Sequence, residues 1–231
     1  MAEMQHNTII WDFHDFIMKE TYPCVAARAA MAQKHIPCHV ADHIGCGKDD
    51  THILHFLYRF IADFRAANTN FHSAAVIFKG PEKITEEAFD TYLWQRLQSL
   101  SDLDAVNFSC DKRVNPDPLA ADFSFSLGEE AFFIIGLHPA SVRRSRAFKY
   151  PAIVFNPHIQ FEEMRKSGRY EKMKTIVRKR DMLYSGSVNP VLADFGEKSE
   201  VYQYSGQEHG LEWTCPLRTT HGETKNHSAE E

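Results

Sequence analysis

The sequence predicts a single α+β domain in which helices flank a mainly antiparallel sheet. Several stretches carry apolar residues at helical spacing, and the short apolar runs between them end at Gly, Pro or Asn, as strands do. Two of those runs, DFSFSL and AFFIIGL, are separated only by GEE, which makes them a hairpin. The 231 residues, 43% of them hydrophobic, are enough to bury one sizeable core.

Trp11 to Lys19 is predicted as a helix anchored by Trp11, Ile17 and Met18. The Ala-rich YPCVAARAAMAQKH (22–35) forms a second, with Pro23 suited to its first turn. IPCHV reads as the start of a strand, because Pro37 interrupts any helix there. ILHFLYRFIADFRAA (53–67) is amphipathic, with Ile53, Phe56, Leu57, Phe60 and Phe64 on one face. SAAVIF (73–78) is a buried strand ended by Lys-Gly-Pro. Thr85 caps the next helix, and Glu86 and Glu87 favour the positive end of its dipole. Phe89, Leu93, Leu97 and Leu100 make that helix's apolar face, which ends near Asp102. The hairpin follows, and AIVFN (152–156) is another strand. Gln160 to Asp181 is a polar helix with Phe161, Met164, Met173 and Ile176 as sparse apolar positions. Ser185 to Pro216 reads as a long ordered coil packed on the domain. The domain spans residues 1–218, and Thr219 to Glu231 is a polar tail expected to be disordered.

Composition removes some functions. A net charge of −5 argues against general nucleic-acid binding, so the basic run at 143–146 is local. No apolar stretch approaches the roughly 20 residues of a membrane helix, and Met1 to Ile10 has no signal-peptide pattern, so a cytoplasmic location is expected. The five cysteines form no C-x-x-C and no C-x-x-C-H, which leaves reduced, mostly buried thiols and excludes covalent c-type haem attachment.

Four segments have chemical potential. In KHIPCHVADHIGCG, His35, His39 and His43 are four apart and Cys38 and Cys46 add soft ligands, so zinc, and with it a zinc hydrolase, is conceivable. On a strand, however, that spacing separates successive histidines by ~13 Å, too far to share a metal. In GLHPASVRRSRAF, a strand ends at His138, and Arg143, Arg144 and Arg146 follow within a few residues. Taken singly, these are a structural histidine and a solvated face. Together they suit an anionic ligand: imidazole is a common axial ligand of haem iron, arginine forks bind propionates, and a phosphate fits the arginines equally well. In AIVFNPHIQFEEMR, Asn156 caps a helix that His158 opens, and Glu162 and Glu163 follow. The fourth, Ser185 to Pro216, offers no chemistry by itself.

Read in order, YPCVAARAA, SAAVIFKGP, FDTYLWQRLQSLSDLD, FSFSLGEEAFFIIGLHPASVRRSRAF, PAIVFNPHIQFEEMR and NPVLADFG…SEVYQYSG…WTCP resemble the YqcI/YcgG family. They look most like its haem-dependent N-hydroxylases of the guanitoxin-biosynthesis type. The resemblance runs from about Tyr22 to Pro216 and implies haem b as cofactor and guanidino amino acids as substrates. It makes His138 the leading iron ligand and Arg143, Arg144 and Arg146 propionate partners. His158 is the rival ligand or a distal catalytic group, and Cys24, in a Pro-Cys motif, is either a thiolate ligand or a buried structural cysteine. The histidine-rich segment at 35–55 departs from the family pattern.

The expected activity is therefore a haem-dependent monooxygenase that hydroxylates a guanidine nitrogen of an amino acid with O₂ or peroxide, and Glu162 or Glu163 faces the guanidinium. No G-x-G-x-x-G is present, so electrons are expected from an external reductase. The alternative is a non-catalytic haem-binding or haem-sensing protein. Neither a membrane nor nucleic acid is an expected partner, and a homodimer is the default assembly.

Overall fold

Alternation along the strands builds two apolar layers, one on each side of a single sheet. The computed structural model describes residues 2–67, 71–187, 195–210 and 212–219. Its strands are β1 (Cys38–His43), β2 (Ala74–Gly80), β3 (Phe125–Leu127), β4 (Glu130–Leu137) and β5 (Ala152–Pro157), in spatial order β1-β2-β5-β4-β3. Only β1 and β2 run parallel, and the other neighbours are antiparallel. Helices α1 (Ala2–Met18), α2 (Val25–Ala32), α3 (Asp50–Ala66), α4 (Glu86–Asp104), α5 (His158–Lys166), α6 (Arg169–Ser185) and α7 (Val201–Tyr204) complete the α+β architecture.

On one face, Ala41, Val76, Phe78, Ile134, Ile153 and Phe155 pack with the apolar sides of α3 and α4. On the other, Val40, Ala75, Ile77, Leu137, Ala152 and Val154 meet Ile9, Phe13, Phe16 and Ile17 of α1 and Ala30 and Met31 of α2. Adjacent β2 residues therefore serve opposite cores, as the two-residue period of a strand requires. Thr85 caps α4 as expected, its hydroxyl accepting from the Ala88 N–H at 3.1 Å.

Several expectations change. Trp11 is 70% exposed; Ile9, Phe13 and Phe16, one and two turns apart, anchor α1 together with Ile17. The single polar helix expected over 160–181 is two helices, broken at Gly168, whose φ of +67° is left-handed. Asn156 does not cap α5: its Nδ2 donates to the Phe133 carbonyl instead. The coil from 185 contains the short α7, whose Val201 and Tyr204 are fully buried. Of the expected disordered tail, residues 220–231 lie outside the described residues. Among the described residues, no helix is long and apolar enough to cross a membrane.

Candidate functional site

An apolar cavity of about 240 Å³ lies between the α1/α2 face of the sheet and helices α5 and α6. Short side chains make it: Ala26, Ala27 and Ala30 of α2 face Ile135, Leu137 and Val154 of the sheet, leaving space that longer residues would fill. Phe133, Phe161, Phe195, Met173 and Val177 extend the apolar lining. Its polar groups are few and held in place. Ser73 donates to Asn156 Oδ1 at 2.7 Å, and Gln160 accepts from the His72 N–H and donates to the His72 carbonyl, both at 3.0 Å. Gln160 thereby ties α5 to the chain entering β2.

His158 opens α5 where β5 ends, and it lines this cavity. Its buried ring lies between two carboxylates, with Nε2 3.4 Å from Glu162 Oε1 and Nδ1 3.5 Å from Glu200 Oε1. Both separations exceed a formed hydrogen bond, and Nδ1 has no hydrogen-bond partner. Phe195 packs on the ring at 4.3 Å. Glu162 is held by Arg165 at 2.5 Å, whose guanidinium also lies over Tyr170. Glu200 is buried, and its Oε2 accepts from Ser124 Oγ at 3.0 Å and Tyr204 Oη at 3.3 Å.

Cys24 lines the same cavity and is the N-cap of α2, its Sγ accepting from the Ala27 N–H at 3.4 Å. Burial pushes its thiol up from the ordinary value, against the lowering effect of the Ala26 and Ala27 N–H groups. Lys174 and Arg178 reach the cavity from α6. Lys174 pairs with Glu171 at 2.8 Å, whereas the buried Nε of Arg178 has no partner.

The other expected site residues sit elsewhere. Leu137 faces the cavity, so His138, next in the chain, faces the opposite side and stacks on Phe89 of α4 at 4.2 Å. Burial, then the nearby Arg146 charge, depresses the His138 pKa to about 4. The segment after it is a series of turns rather than a helix. Arg143 makes a buried ion pair with Asp181 at 2.5 Å. Arg146 donates to the carbonyls of Gln203 at 2.7 Å and Tyr204 at 3.0 Å, and Arg144 is exposed over Tyr184. Thus Cys24 and His158 line one cavity with Glu162 beside His158, whereas His138 and the three arginines are absent from the lining, although Arg146 donates to the carbonyl of Gln203, which is part of it. The histidine-rich segment also disperses: His35 stacks on His72, His39 on Phe56, and His43 meets Tyr92 edge-on. Among the described residues no group of three or more His, Cys, Asp or Glu is placed to hold a metal ion.

Residues 13–218 match the model of the YqcI/YcgG family. The chain belongs to the YqcI/YcgG family. It is 31% identical over 136 residues to the Bacillus subtilis (strain 168) protein YqcI, which is described as uncharacterized; the match covers 56% of this chain and 53% of YqcI, about half its length. It is 24% identical over 185 residues to YcgG of the same organism, also described as uncharacterized, covering 78% of this chain and 72% of YcgG. No solved structure matches it.

Haem requires an apolar slot, an axial donor and cations for two carboxylates. In this YqcI/YcgG chain the cavity lining would supply the slot, Cys24 or His158 a donor and Arg178 a cation, while Arg165 and Lys174 in the same lining already pair with Glu162 and Glu171. These residue types suit the group. Sequence reasoning missed Glu200 and Arg178. Glu200 belongs to SEVYQYSG, where its four-residue spacing from Tyr204 was the available signal, and Arg178 was one base among many in RKRD.

Proposed function

We propose that this protein is a haem-dependent monooxygenase that hydroxylates a guanidine nitrogen of an amino acid, and that the cavity between the sheet, α2, α5 and α6 is its site. The observation that carries this reading is that Cys24 and His158 line one apolar cavity. Family membership and the resemblance to guanidine N-hydroxylases support it, and the basic side chains of α5 and α6 suit two propionates. Cys24 is taken as the axial donor: burial raises its free thiol, so the thiolate would form on binding the iron, with the Ala27 N–H and the N-terminus of α2 as its partners. Both nitrogens of His158 instead face carboxylates, which suits a proton carrier.

When bound, the haem iron supplies the activation of O₂ or peroxide. The protein's own residues do the rest. Apolar residues of α1, α2 and the sheet limit water. The His158 ring lines the cavity under Phe195, so that a proton at its ring nitrogens stays within reach of the ligand space. With O₂, one oxygen atom enters the N–H bond and the other leaves as water, using two electrons and two protons from an external reductase. With peroxide, N–H and H₂O₂ give N–OH and H₂O.

The test is the absorption spectrum of protein produced with haem supplied, followed by turnover of L-arginine with a reductant or peroxide. A Soret band and N-hydroxylated product are expected. Cys24→Ala is expected to abolish or shift the band, His158→Ala to retain it and lose turnover, and His138→Ala to leave it in place. A protein that takes up no haem overturns the proposal. A Soret band with no turnover of any guanidino amino acid leaves only the haem-binding alternative.

A further inference from the structure

The buried acidic residues of this protein are not all treated alike. Asp50 pairs with Arg96, Asp111 with Arg113, Glu130 with Arg65 and Arg113, and Asp181 with Arg143. Each cation compensates a carboxylate that burial would otherwise penalise. Glu200 is as buried as these, and among the described residues no lysine or arginine pairs with it. It also lines the cavity. Its Oε2 is satisfied by two hydroxyl donors, whereas Oε1 has the Nδ1 of His158 beside it at 3.5 Å. That nitrogen is buried and has no hydrogen-bond partner. Among the described residues, the cavity wall therefore carries a buried carboxylate without a lysine or arginine countercharge, beside an imidazole nitrogen without a hydrogen-bond partner.

We propose that Glu200 receives the cationic nitrogen group of the ligand, with His158 Nδ1 accepting from the same group. A guanidinium suits the pair, because its planar fork offers N–H donors to both acceptors while its charge compensates the carboxylate. Glu162, the carboxylate nearest in sequence to His158, is already neutralised by Arg165 and is not the receptor. The assignment rests on the cavity being the substrate site of the proposed hydroxylase, and it names the residue that sets the substrate's charge.

The experiment compares binding of L-arginine and its neutral isostere L-citrulline by calorimetry, using haem-loaded wild type, Glu200→Gln and Glu162→Gln. The wild type and Glu162→Gln are expected to prefer arginine by at least ~10-fold, and Glu200→Gln to lose that preference. The Soret band of each sample reports the haem reading separately, so lost discrimination with an intact band concerns Glu200 alone. Equal or absent binding of both ligands by the wild type, or a preference that Glu200→Gln retains, overturns the proposal. Should Glu200→Gln fail to fold, Glu200→Asp is read instead: a weakened arginine preference supports the assignment, and an unchanged one overturns it. A preference lost in Glu162→Gln overturns it as well.

Discussion

Arg143 and Arg146 sit three residues apart in a basic run that looks made for an anion, yet both have partners within the protein. Arg143 compensates the buried Asp181, and Arg146 ties the turn after β4 to the carbonyls at the end of α7. Arg143→Ala leaves Asp181 buried without its cation and is expected to cost ~3–5 kcal/mol in chemical denaturation, with haem uptake by the folded fraction unchanged. Normal stability with lost haem uptake would return Arg143 to the propionates. His138 makes a pH prediction. Its folded pKa, about 4, lies below the ordinary value of 6.5, so the native ring stays neutral where the unfolded one is protonated. The unfolded state binds the extra proton, and stability falls as pH drops from about 6.5 towards 4. His138→Phe keeps a ring against Phe89 and loses no hydrogen bond at Nδ1, which has no partner. It is expected to flatten that part of a urea-midpoint-versus-pH curve. Strand parity was visible in GLHP, but which face of the sheet held a cavity was not, and that decides between His138 and His158.

At the scale of elements, local signals were legible wherever they act within one segment. The Thr85 cap, the apolar stripes of α3 and α4, and the β3–β4 hairpin with its turn at Gly128 and Glu129 all follow from short-range chemistry. The break between α5 and α6 had a signal in Ser167-Gly168, but a continuous helical composition hid it. Contacts between elements were not legible. Gly136 lies on the α4 side of β4, where an added Cβ would stand 2.6 Å from Phe89 Cε1 and 2.9 Å from Leu93 Cδ1. Both side chains are fully buried and have little room to retreat. Gly136→Ala is therefore expected to push α4 from the sheet, at ~1–3 kcal/mol of stability measured by urea denaturation. An unchanged midpoint would show that α4 accommodates the methyl group.

Across the whole molecule, the two faces of the sheet divide the work. The α3/α4 face is filled by large side chains such as Phe78, Phe89, Phe132 and Phe155. The opposite face meets a helix of alanines, and the cavity lies there. Alanine in α2 looked like helix propensity alone when read as a sequence, because the empty volume beside it depends on α6, more than 130 residues away, arriving as the far wall. Glu200 joined the site for the same reason, through the packing of α7 on β4. The cavity's role can be separated from the fold by filling it. Ala27→Phe places a ring in the space while keeping the backbone N–H that donates to Cys24 Sγ. Filling a void without strain commonly adds ~0.5–2 kcal/mol, so thermal denaturation is expected to show an equal or higher Tm. Haem titration of the same variant is expected to show at least ~10-fold weaker uptake, since that is about 1.4 kcal/mol of lost binding. If uptake is unchanged while the Tm rises, the ring occupies the cavity and haem binds elsewhere, which would move the site away from His158 and Glu200 together.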